Sequence, residues 1–134
     1  MKEKITEEIK KSVEVLRSGG VILYPTDTIW GLGCDATNEA AVKKVYDIKQ
    51  RTETKSMLVL IDSPAKLQAY VTEIPEMAWE LIELTTNPLT IVYPGARNLA
   101  PNLIGDDQTI GIRVTEEPFS KKLCEMFRKP IVST

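Results

Sequence analysis

The 134-residue sequence contains no histidine. That absence removes the Ser-His-Asp triad, the Cys-His pair and the zincin metal site, all of which need an imidazole. Cysteine is scarce: Cys34 and Cys124 stand far apart and are too few for a cysteine-rich metal site. The N-terminal segment MKEKITEEIKK is charged and amphipathic and has no apolar core of a secretion signal. Both cysteines are therefore expected as reduced thiols in a cytoplasmic protein. Long apolar runs are missing too, none approaching the roughly 20 residues of a membrane helix, so no membrane partner is expected. The sequence also lacks internal repeats, low-complexity tracts and linker-like stretches. Chemistry is left to lysine, arginine, carboxylates, hydroxyls, backbone amides or a borrowed cation, a set that suits anionic substrates.

What is present reads as one soluble globular domain, with 43% apolar and 27% charged residues. The net charge of −2 argues against a general polyanion binder, but the charge is uneven. Residues 43–55 carry Lys43, Lys44, Lys49, Arg51 and Lys55 against Asp47 and Glu53, whereas residues 73–83 carry four glutamates and no base. A basic patch on a mildly acidic chain favours a site for a discrete anion.

Apolar periodicity predicts a helix capped by Thr6, with Ile9, Val13 and Leu16 on one face and Gly19-Gly20 as its stop. A buried strand follows at Val21–Tyr24, then a helix capped by Asn38 and a strand at Met57–Ile61. Helices are predicted from Ser63-Pro64 to about Val71 and from Pro75, the latter with Ala78, Leu81 and Ile82 inward and Glu76, Glu80 and Glu83 in solvent. Strands at 89–93 and 109–114 flank a long loop over 94–107, and a helix over about 117–128 leads to a last strand at Pro130–Val132. Apolar strands alternating with helices give an α/β class: one domain with a twisted, mainly mixed sheet covered by helices on both faces.

Four constellations carry polar chemistry. Tyr24 to Gly33 places Thr26 and Thr28 beside Gly31 and Gly33 just after a strand, where a turn can serve a ligand; it equally fits an ordinary strand-to-helix turn with capping threonines. Lys49-Gln50-Arg51 with Lys55 fits a phosphate grip and, as well, a solvated helix end. Arg113, inside the apolar strand TIGIRV, requires a carboxylate or phosphate partner or an exposed strand end. Ser133-Thr134 adds two hydroxyls. Asp106-Asp107 reads as a solvated turn rather than a metal pair, and Tyr70 and Trp79 as packing rather than a stacking platform.

Together the segments GGVILYPTDTIWGLGCDA (19–36), IKQR followed by KSMLVLI (48–61), NPLTIVYP (87–94), TIGIRV (109–114) and PIVST (130–134) resemble, in order and spacing, the threonylcarbamoyl-AMP synthase, or YrdC-like, family. The resemblance implies a YrdC-like fold with a basic concave surface. It also implies adenylyl transfer, in which bicarbonate carboxylates L-threonine and the carbamate attacks the α-phosphate of ATP with release of pyrophosphate. Carried over position by position, Lys49 and Arg51 are expected to be catalytic. Thr28, Arg113 and Ser133 are expected to bind threonine, and Arg51, Lys55 and Thr109 to bind ATP. Mg²⁺ is expected to arrive with the ATP, with no protein-ligated metal. The expected partners are a downstream tRNA-modifying transferase complex and tRNA or double-stranded RNA.

Three departures stand out. The family pattern continues past Ser-Thr with Ser-Ala-Asn, so the domain over 1–134 is expected to be truncated at its C-terminus and short of activity. Leu60 stands where some members have histidine, and Thr86-Asn87 stands where Pro-Gly is usual. The competing expectation is a non-catalytic module of the same fold that binds double-stranded RNA or tRNA.

Overall fold

The computed structural model describes residues 2–27, 30–49 and 57–134. Helix α1 spans Lys2–Arg17 and buries Ile9, Val13 and Leu16. It begins four residues ahead of Thr6, which is therefore an interior residue and not its cap: Lys2 to Ile5 are adequate helix formers and need no later start. Its end is as predicted. Gly19 takes a left-handed φ of +81°, and the Gly19 and Gly20 amides bond back to the carbonyls of Leu16 and Val15.

Strands β1 (Ile22–Pro25) and β2 (Trp30–Gly33) form an antiparallel hairpin. The predicted strand-to-helix turn is thus a strand-turn-strand. Helix α2 (Glu39–Lys49) follows, capped by the Asn38 side chain, which accepts from the Ala41 amide at 3.1 Å. Strand β3 is Leu58–Ile61. The helix expected from Ser63 to Val71 is only a 3-10 turn, Pro64–Ala69. Beyond it the backbone is claimed by another segment: the Arg97 amide donates to the Tyr70 carbonyl and the Thr72 amide to that of Gly95.

Helix α3 (Glu76–Leu84) opens at Pro75 as expected, and its glutamates are exposed. Ala78 is buried and Ile82 half-buried, but Leu81 is exposed and does not share their inward face. Strand β4 (Thr90–Tyr93) and β5 (Ile110–Val114) are joined through a segment containing a second 3-10 turn, Pro101–Leu103. Helix α4 (Pro118–Phe127) is capped by the Glu117 carboxylate, with proline at its first position, and precedes β6 (Ile131–Ser133).

The main sheet has the order β4-β5-β3-β6; β3 and β5 run parallel and the other pairs antiparallel, so it is mixed. The hairpin joins its β6 edge, where Leu32 and Thr134 exchange backbone bonds of 2.9 and 3.1 Å. Two apolar clusters cover the two faces. Ile22, Tyr24, Leu60 and Ile131 pack with α1 and α4. Val59, Ile61, Ile112 and Val132 pack with α2 and the 3-10 turns. The expected α/β fold with helices on both faces is present, although β4 lies mostly exposed at the edge. Cys34 and Cys124 are free and buried, one in each cluster.

Candidate functional site

Register fixes which side chains share a face. Thr90 pairs with Arg113, Arg113 with Leu60 and Leu60 with Ile131; the neighbouring row is Val92, Gly111, Leu58 and Ser133. Because strand side chains alternate, these two rows stand on one side of the sheet. Leu60 and Ile131 lie under α1, α4 and Tyr24. The remainder of the face is more open: Val92 is 66% exposed, and Leu58, Gly111 and Arg113 are half-buried. Gly111 leaves a floor without a side chain between Val92 and Leu58.

Arg113 is anchored there by one neighbour. Its Nε and Nη2 both donate to Thr90 Oγ1, at 3.0 and 2.8 Å. Among the described residues no carboxylate lies within ion-pair distance of it. The partner expected from sequence, a carboxylate or phosphate, is thus replaced by a hydroxyl that fixes the guanidinium without neutralising it. A guanidinium has five N–H donors, so this one keeps capacity for an anion.

Ser133 is buried in the same face, two strands across and two residues along from Arg113, roughly 12 Å between backbones at ordinary sheet spacings. A side chain at Gly31 would come within 3.2 Å of Thr26 and 3.3 Å of the Ser133 hydroxyl, so glycine lets the hairpin close on β6. Tyr24 secures the same corner by donating to the Val132 carbonyl at 3.0 Å. Burial pushes its phenol far above the usual range, with the hydrogen bond to Ser133 pulling the other way, so the donor keeps its proton.

The remaining sequence candidates are placed differently. Thr28, Arg51 and Lys55 lie outside the described residues. Lys49 is the exposed last residue of α2, and no described contact joins it to Arg113 or Ser133. Of the other lysines in the basic stretch, Lys43 pairs with Asp47 and Lys44 donates to the Gly19 carbonyl, so both serve the fold. Thr109 precedes β5, about 13 Å along the strand from Arg113. Its hydroxyl donates to Asp107 at 2.6 Å, which holds that exposed carboxyl below its usual range.

Sequence reasoning overlooked two residues. Thr90 is the lone polar residue in TIVY, and facing Arg113 across a strand pair was the signal that could have found it. The other is Asp27. Its Oδ1 accepts from the backbone amides of Glu116 and Glu117 at 3.2 and 3.1 Å, while its buried Oδ2 has no partner among the described residues. Asp27 also lines a cavity of about 350 Å³ at the end of β5, together with Thr85, Asn87, Val114, Glu116 and Glu117. That acidic cavity does not suit phosphate; the anion-competent element is Arg113 on the sheet face. Among the described residues no group of three histidine, cysteine or acidic side chains is gathered to hold a metal. No described helix is long and apolar enough to cross a membrane.

The Sua5/YciO/YrdC family model, described as telomere recombination, matches residues 14–134. A threonylcarbamoyl-AMP synthase of Pseudoalteromonas translucida is 40% identical over 129 residues, covering 94% of this chain and 69% of the relative. One from Vibrio cholerae is 36% identical over 133 residues, covering 97% and 71%. Among solved structures, P. abyssi Sua5 complexed with L-threonine superposes with a TM-score of 0.89 at 30% identity, covering 94% of this chain and 37% of that one. E. coli YciO gives 0.84 at 28% identity, covering 96% and 63%. The chain spans about seven tenths of these curated relatives and less than two thirds of these solved chains. A family match over most of the chain, on the same twisted mixed sheet, makes this protein a member of the Sua5/YciO/YrdC family.

Proposed function

We propose that this chain carries the ligand-binding face of a threonylcarbamoyl-AMP synthase, which forms threonylcarbamoyl-adenylate and pyrophosphate from L-threonine, bicarbonate and ATP. The observation that carries the reading is Arg113: a guanidinium on an open sheet face, held by Thr90 and left without a described carboxylate. Such a group receives a small carboxylate, and the relative solved with L-threonine has this fold. In this reading Arg113 and Ser133 flank the amino acid, and Thr28 contributes a further contact. Lys49, Arg51 and Lys55 would neutralise ATP phosphates, and Thr109 would meet the nucleotide once its hydroxyl leaves Asp107.

The reaction asks the protein to align the carbamate with the α-phosphate and to offset developing charge, tasks for cations and hydroxyls. Mg²⁺ would supply further neutralisation as a companion of ATP; the described residues offer it no ligand set of their own. The product would pass to a tRNA-modifying transferase complex in the cytoplasm.

Calorimetry with L-threonine and with ATP tests the reading, together with pyrophosphate release dependent on threonine and bicarbonate. Both are run on this chain and on one extended through Ser-Ala-Asn. Saturable threonine binding and threonine-dependent release by the longer chain are expected. RNA binding with a steep salt dependence and no ATP or threonine binding would replace this reading with the RNA module.

A further inference from the structure

We infer that Gly111 is a specificity-determining residue, its bare backbone seating the side chain of the amino acid that Arg113 holds, with Val92 and Leu58 as apolar walls; this rests on the reading just proposed. Three glycines lie within the described strands, and two of them are explained by the neighbouring chain. A Cβ at Gly33 would lie 2.7 Å from the Val132 carbonyl oxygen, and one at Gly31 would press on Thr26 and Ser133 at 3.2 and 3.3 Å. At Gly111 the fold makes no such demand. Of the described atoms only Thr90 Cγ2 would come within 4 Å of a Cβ there, at 3.4 Å, an ordinary contact. Nor does the backbone require glycine, because Gly111 is not among the residues with a left-handed φ.

Glycine is moreover a costly choice for this position. β5 is an interior strand between β4 and β3, and its other face is filled by the buried Ile110 and Ile112. Such a place favours a β-branched residue; glycine loses backbone entropy there and packs against nothing. Its register partners stay uncovered, with Val92 66% exposed and Leu58 half-buried. A strand glycine that the chain itself does not crowd marks a close approach by something else. Its surroundings say what approaches. Arg113 is two residues along on the same face, about 6.7 Å away at the ordinary strand rise. Thr90 holds the guanidinium over the β4–β5 pair, in which Val92 and Gly111 are the next residues on that face. A carboxylate received there places the rest of a small amino acid over Gly111. The flanking valine and leucine suit a methyl group and not a charge. L-threonine carries such a methyl, and L-serine has the same polar groups without it.

The test compares Gly111→Ala with the parent chain. Urea unfolding reads the fold without ligand: the midpoint should hold or rise, because alanine restrains the unfolded chain and meets only Thr90. A lowered midpoint would show that the fold itself requires glycine, and overturns the assignment. Calorimetry with L-threonine, L-serine and ATP reads the site. The parent should prefer threonine to serine by about tenfold, the scale of one methyl in an apolar pocket. In Gly111→Ala threonine should weaken by about tenfold, serine by less than about threefold and ATP by less than about twofold, so that most of the preference is lost. Unchanged threonine affinity overturns the assignment, and so does an equal fall for threonine and serine, which would leave side-chain choice untouched. A loss confined to ATP would put the nucleotide over Gly111 and overturns it too. If the parent binds neither amino acid, the proposed function fails and the role of Gly111 fails with it. If the parent binds threonine and Gly111→Ala binds it equally well, only the role of Gly111 fails.

Discussion

The two ends of one sheet face are built from the same strands and behave as different materials. At one end Leu60 and Ile131 are fully buried beneath α1, α4 and Tyr24. At the other, one and two strands further along the same rows, Gly111 and Arg113 and then Thr90 and Val92 have no described helix packed over them. Strand pairing cannot cause the contrast, because the ladders run through both ends. Side-chain choice favours the contrast: Leu60 and Ile131 give α1 and α4 large apolar groups to bury, whereas at the other end a glycine, a hydroxyl and a charge outnumber the single valine. The site is where the covering stops.

The largest effect should come from the covered end. Leu60→Ala removes a fully buried side chain from the centre of the face and is expected to cost about 2–5 kcal/mol, measured by urea unfolding. Threonine affinity of the folded fraction should be unchanged. If affinity fell while stability held, the two ends would not be separable in this way.

Arg113→Ala should do the reverse. It is half-buried and has no described ion pair, so stability should change by less than about 1 kcal/mol. Threonine binding should weaken at least about tenfold, the scale of a lost charge-assisted contact of about 1.5–3 kcal/mol. A stability loss with threonine affinity intact would make Arg113 a structural residue of the sheet.

The covered end was the more legible one in the sequence. Ile9, Val13 and Leu16 recur at helical spacing and are buried as that spacing requires, and VLI in β3 reads directly as interior strand. In the opposite core the cap at Asn38 follows from local chemistry as well, whereas Thr6, expected as a cap, lies inside α1 and the Glu117 cap was not foreseen. The open end was legible only in part. Arg113 stood out because a charge in an apolar strand needs a reason, but Thr90 and Asp27 act through contacts 23 and about 90 residues distant, which no local pattern encodes. The strand Trp30–Gly33 was missed because its two glycines were read as admitting a ligand, whereas Gly33 admits the neighbouring chain: a side chain there would sit 2.5 Å from the Tyr24 ring. Leu81 was misread because α3 presents apolar residues on more than one side.

The thiols sharpen the contrast through pH. Cys124 lies under the covered end, its Sγ 3.8 Å from the Leu60 carbonyl, and Cys34 lies in the opposite core. Burial pushes both thiols up, Cys34 to about 12 from an ordinary 9.0. The unfolded chain therefore loses these protons first. Stability owed to the protonated thiols is complete below about pH 9 and drains away as pH rises towards 12, at up to about 1.4 kcal/mol per pH unit for each. Urea midpoints between pH 8 and 10.5 should fall, and Cys34→Ala should shallow that fall. A slope unchanged by Cys34→Ala would show that this thiol ionises as easily folded as unfolded.

The smallest effect concerns Thr90, and it isolates what the open end contributes beyond charge. Thr90→Val keeps the volume and β-branching of an exposed edge-strand residue, so the fold should lose less than about 0.5 kcal/mol. It removes the oxygen that accepts from both Nε and Nη2 of Arg113. The guanidinium then keeps its charge but loses its orientation, and each ligand must pay for ordering it. Threonine affinity should fall by about three- to sixfold, near 1 kcal/mol and less than in Arg113→Ala. In the Arg113→Ala background the Thr90→Val change should add nothing, because its partner is gone. An additive double mutant would mean that Thr90 meets the ligand itself, and the open end would then hold two independent contacts where the structure shows one supported by the other.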